Sequence, residues 1–148
     1  MNLGTDWVVA SSYAASGAGG VMLIRTRDRM PFKAYPSASG TDAPDSKTYP
    51  DCPGPPRGKF QTHGVYVAPG NGPRHRLFAV GHGDREAIEV FDIDTGGAVP
   101  SVTWIGCVIA PNPIGLNSVR GLPDGGFIRS EEHTSELQSH HDLVCRLL

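Results

Sequence analysis

Apolar and β-branched residues are gathered into short runs, and each run is closed by a cluster of glycine, proline, aspartate or asparagine. This is the pattern of strands joined by tight turns. Asp6–Ser11 (DWVVAS) and Gly20–Thr26 (GVMLIRT) read as the first two strands, with the small-residue turn SYAASGAGG between them. Residues 27–62 then carry seven prolines and no periodicity, so they are expected to form one long Pro-rich loop. After it the rhythm becomes regular. His63–Ala68 (HGVYVA), His75–Gly81 (HRLFAVG), Ala87–Ile93 (AIEVFDI) and Val102–Ile109 (VTWIGCVI) are four consecutive strand candidates, separated by PGNGP, GHGDRE and DTGGAVPS. A further pair, Leu116–Leu122 and Gly126–Ile128, flanks the turn Pro123-Asp124-Gly125. No helix of ordinary length is expected in residues 1–128.

The expected fold class is therefore all-β. Four short antiparallel strands between turn signals match one blade of a β-propeller, here flanked by parts of two others; a β-sandwich would give similar spacing. One blade and two partial ones cannot close a propeller ring. Such a fragment is expected to be unstable alone, with uncovered sheet faces and unpaired edges.

The final stretch departs from this pattern. Residues 129–148, RSEEHTSELQSHHDLVCRLL, resemble the in-frame translation of a sequencing-library adapter, and they are set aside from fold reasoning as an artefactual tail. Its His133, His140, His141, Asp142 and Cys145 imitate a metal-ligand set, and Ser130-Glu131-Glu132 imitates a helix start. Neither is taken as functional. The natural chain is expected to be interrupted at Ile128 and residues 1–128 to be the N-terminal fragment of a propeller domain.

Charge and cysteine content narrow the function. The chain has a formal net charge of −2, and setting aside the two basic and four acidic residues of 129–148 leaves eleven of each sign. That balance offers no electrostatic footprint for nucleic acid or an anionic membrane. No apolar run is long enough for a membrane-spanning helix, and the N-terminus shows no basic region of a signal peptide. Cys52 and Cys107 are too few for a disulfide framework or a four-cysteine zinc site; a buried thiol at Cys107 and a loop thiol at Cys52 are expected.

Two motifs carry candidate chemistry. Gln61-Thr62-His63-Gly64-Val65 puts His63 at a strand start, and Val80-Gly81-His82-Gly83-Asp84 puts His82 just past a strand end. If the two strands are antiparallel neighbours, both imidazoles reach the same rim of the sheet. Two adjacent imidazoles can move protons, one acting on water and the other adjusting it. Weaker signals have simpler readings. Asp92-Ile93-Asp94-Thr95-Gly96 lacks the later glutamate of a calcium loop and reads as a hairpin turn. Gly17-Ala18-Gly19-Gly20 leads into a strand, so it is no phosphate cradle. Trp7, Phe78, Phe91 and Trp104 fit sheet packing, and His75 is expected to face solvent.

The arrangement HGVYV…LFAVGH…IEVFDID…LNSVRGLPDGGF resembles the paraoxonase/arylesterase-like group within the gluconolactonase and strictosidine-synthase-like propellers. The nineteen-residue step from His63 to His82, the further step to Asn117 and the segment Cys52-Pro53-Gly54-Pro55-Pro56 carry the resemblance, which covers residues 5–128. It implies a six-bladed propeller with calcium at its central opening, acting on a lactone or ester substrate. His63 would match the general base, His82 its partner histidine, and Asn117 an asparagine ligand of the catalytic calcium. Ser118 stands where paraoxonases carry an aspartate linked to a second calcium, so that ion is not implied. The further calcium ligands would lie in later blades, and the 148-residue chain is expected to be inactive and to bind calcium weakly. The alternative is a non-catalytic binding propeller or a metal-free strictosidine-synthase-like relative.

Overall fold

Between the glycine- and proline-bearing turns, the chain forms ten strands: β1 (Trp7–Ser12), β2 (Gly20–Arg25), β3 (Met30–Tyr35), β4 (Thr41–Asp42), β5 (Phe60–Pro69), β6 (Arg74–Gly83), β7 (Ala87–Asp94), β8 (Ser101–Ile109), β9 (Leu116–Gly121) and β10 (Phe127–Glu131). The computed structural model describes residues 1–131 except Thr5, Ser39 and 112–114. Among the described residues there is no helix, and so none long and apolar enough to cross a membrane. The protein is all-β.

Three sheets are formed, β1-β2-β3, β4-β8-β7-β6-β5 and β10-β9. Strands β5 to β8 are the antiparallel meander expected from the turn spacing, and β4 adds to its outer edge in parallel with β8. The central sheet is covered on both faces. On one side Phe60, Leu77, Phe91, Ile93 and Trp104 pack with Trp7, Val9, Val21, Leu23 and Tyr35 of the first sheet. On the other, Phe78, Val80, Ile88, Val90 and Ile105 pack with Leu116, Val119 and Phe127 of the third. Double coverage explains why residues 77–81 and 87–91 are buried without a break, where a one-sided strand would alternate. It also departs from the uncovered faces expected of an isolated blade.

Two expectations are corrected. Residues 27–62 are not one loop: they contain β3, β4 and the start of β5. β3 escapes sequence reading because it is an edge strand, with its first four residues exposed and a proline at Pro31, and edges tolerate both. The cysteines are not free thiols. Cys52 and Cys107 form a disulfide with a Cα–Cα distance of 5.2 Å. They meet because residues 43–52 lie along β8: Ala43 and Asp45 donate to the carbonyls of Trp104 and Ile105. Tyr49 sits against Gly106, where any Cβ would collide with its ring.

β10 runs through Glu131, beyond the expected end at Ile128, and the buried Arg129 side chain pairs with Glu131. The rest of the adapter-like stretch, including its histidines and Cys145, lies outside the described residues.

A histidine pair at the rim of the central sheet

The site begins with a β-bulge. β5 and β6 pair Gln61 with His82 and Thr62 with Gly81, and then the register slips before Val65 pairs with Ala79. The slip falls at His63-Gly64, and a bulge of this kind re-aims the side chain it carries. Gly64 is required there by proximity. A Cβ would stand 2.6 Å from the Asn117 carbonyl oxygen and 2.7 Å from the Ser118 Cα, so glycine lets β9 approach β5.

His82 is placed by the end of β6. Gly83 has φ +126°, and a Cβ there would lie 2.0 Å from the Lys59 carbonyl oxygen. The Asp84 amide donates to that same oxygen at 3.0 Å, and the Asp84 carboxylate accepts from the Lys59 amide at 3.0 Å. These bonds turn the chain sharply after His82.

His63 and His82 meet as expected, with ring centroids 5.7 Å apart and planes inclined at 46°. A third ring joins them. Tyr13, in the β1–β2 turn, lies 6.1 Å from His63 and 5.7 Å from His82, edge-on to the latter. The turn is fixed to β5 beside the bulge: the Ala14 amide donates to Gln61 Oε1, the Ser12 amide donates to Thr62 Oγ1, and the buried Thr62 hydroxyl donates to the Gly20 carbonyl. Tyr13 is 65 % exposed, so the cluster opens to solvent on its side.

The two histidines differ in surroundings. His63 is exposed, whereas the His82 side chain is only 11 % exposed. Nδ1 of His82 lies 2.8 Å from each Glu86 carboxylate oxygen, and Glu86 Oε2 also accepts from the Leu116 amide at 3.2 Å. Nε2 of His82 is buried and makes no hydrogen bond among the described residues. His82 also borders a cavity of about 220 Å³ lined by Pro55, Pro56, Arg57, Lys59, Asp84 and Arg85.

Asn117 is exposed on β9, directly after the fully buried Leu116, and its backbone abuts the bulge. The three expected site residues are thus drawn to one rim. His75 is half-buried on β6 rather than solvent-facing. Of the segment expected as a hairpin turn, Asp92, Ile93 and Asp94 instead close β7, and the turn toward β8 begins at Thr95, with the Gly96 amide donating to Asp94 Oδ1.

The β6–β7 turn and β7 hold a buried ionic contact. The Arg85 guanidinium forks onto both Glu89 oxygens at 2.8 and 2.9 Å and donates to the Gly54 carbonyl, while Trp104 Nε1 donates to Glu89 Oε2 at 2.7 Å. Burial pushes the Glu89 carboxyl above its ordinary range, and Arg85 and Trp104 act in the opposite direction. Neither Glu86 nor Glu89 carries a sequence signal: His82 and Arg85 stand only four residues before them, but the path of the β6–β7 turn makes these pairs meet, and Leu116 and Trp104 join from farther along the chain. Tyr13 falls in a turn of small residues that periodicity does not resolve.

Calcium requires six to eight oxygen donors. Among the described residues, no group of three or more His, Cys, Asp or Glu side chains is arranged to hold a metal. Asn117 offers a single amide oxygen, and Glu86 is already engaged with His82 and Leu116. The described residues by themselves do not fit a calcium centre. No protein-family model matches the chain, and comparisons with curated proteins and with solved structures give no match.

Proposed function

We propose that this chain carries the proton-transfer part of an ester or lactone hydrolase built on a six-bladed propeller, with His63 as base and His82 as its partner. The observation that carries this reading is the pairing of an exposed and a carboxylate-anchored imidazole, 5.7 Å apart at one sheet rim. In this reading His63 takes a proton from the water that attacks the substrate carbonyl, and His82 holds the pair in its working arrangement. Tyr13 forms one wall beside the reacting centre. Of the calcium centre that the resemblance implies, the described residues would supply Asn117 alone.

The test starts from the source DNA, sequenced across codon 128. Its full reading frame and the 148-residue chain are assayed side by side with phenyl acetate and a δ-lactone in calcium buffer. Turnover is expected from the longer product and not from the chain ending in 129–148. In the active product, His63→Gln should lower kcat/KM by about 10²–10⁴-fold while sparing calcium affinity. Unchanged turnover in that variant removes the dyad assignment. Absence of turnover in the unsubstituted product removes the hydrolase reading in favour of a binding propeller. A genomic frame that itself encodes RSEEHTSELQS removes the interrupted-chain reading.

A further inference from the structure

We infer that Glu86 is a positioning residue, which fixes His82 as the Nδ1–H tautomer and ties it to the strand carrying Asn117; its importance for turnover rests on the dyad reading above.

Two observations lead to the same tautomer. An ionised carboxylate only accepts hydrogen bonds, so a ring nitrogen 2.8 Å from both Glu86 oxygens must bring the proton. Independently, Nε2 is buried with no hydrogen-bond partner among the described residues. A proton there would be a buried donor left unsatisfied, so the neutral ring places it on Nδ1 instead. Nε2 is then left with its lone pair. The carboxylate is held in turn by the Leu116 amide, one residue before Asn117. A single side chain thus joins the end of β6, the turn after it and the start of β9. A glutamate that only capped β9 would leave the imidazole tautomer free to choose.

The tautomer is read directly from long-range ¹H–¹⁵N correlation spectra of the ¹⁵N-labelled chain, at a pH where both rings are neutral, with His82→Gln used to assign the signal. The expected wild-type signature is a pyrrole-like Nδ1 and a pyridine-like Nε2. Glu86→Ala removes the Nδ1 acceptor, so neither ring nitrogen then has a partner and the single tautomer should give way to a mixture of the Nδ1–H and Nε2–H forms. A wild-type His82 protonated on Nε2 overturns the inference, as does a Glu86→Ala variant with an unchanged tautomer. The wild-type spectrum decides even if the variant fails to fold.

In an active product, Glu86→Gln should lower kcat by about ten- to hundredfold at unchanged KM, a fraction of what acid–base groups supply. The two readings fail separately. Loss of the expected tautomer alongside a damaging His63→Gln removes the role of Glu86 alone. The expected tautomer in a product without turnover removes only the hydrolase.

Discussion

Glu89 is fully buried beside the core residue Trp104, and its neighbours decide whether that position is tolerable. Arg85 and the Trp104 indole satisfy both carboxylate oxygens, and the Gly54 carbonyl accepts a further guanidinium N–H. Removing one member leaves the other desolvated and uncompensated, which costs about 3–5 kcal/mol for a buried pair. Glu89→Ala should therefore lose stability on that scale in urea unfolding, while Arg76→Ala, which breaks the exposed pair with Asp92, should lose well under half as much. Equal losses would show that burial is not what gives the Glu89 contact its weight. None of this is visible at Glu89 in the sequence, where the residue stands in AIEVFDI as an ordinary polar position of a strand.

At the scale of elements, the main departure from the sequence reading is the segment between β2 and β5. Its prolines, exposed residues and two-residue strand give no periodic signal, yet it supplies one edge of two different sheets. The disulfide anchors its last third to β8. Closing a loop across a sequence separation of 55 residues restricts the unfolded chain by about 4 kcal/mol in the chain-entropy account, and measured bridges commonly contribute about 2–4 kcal/mol. Reduction should accordingly lower the unfolding free energy by a few kcal/mol. Peptide mapping without reductant should recover Cys52 and Cys107 in one linked fragment. Two free thiols that react at once in the folded protein would remove the bridge. The pairing was beyond reach of the sequence because two cysteines carry no spacing signal, and only the path of residues 43–52 along β8 brings them together.

At the scale of the whole molecule, two apolar layers lie on either side of the central sheet, and each contains a buried phenol. Burial, and then the hydrogen bond to Asp42, hold Tyr35 above the ordinary phenol value of 10.0; burial also raises Tyr49, against the opposing pull of Arg76. A raised folded value means that above pH 10 the unfolded chain releases protons which the folded chain still holds. Stability from these groups is therefore complete below about pH 10 and falls as pH rises further. Urea unfolding between pH 8 and 11 should show this decline, and Tyr35→Phe should make it shallower; an identical slope in the variant would exclude Tyr35 as a source. What the sequence by itself determined is the all-β class, the meander from β5 to β8 and the meeting of His63 with His82. Those follow from local causes: apolar runs set strands, turn residues set hairpins, and antiparallel pairing brings a strand start beside the end of its neighbour. Only the tertiary structure decided the double coverage of the central sheet, the Cys52–Cys107 bridge, the Tyr13 wall and the Glu86 anchor. Each depends on residues distant along the chain or on turn geometry, and the free energy of such contacts depends on burial and distance, neither of which a one-dimensional pattern encodes.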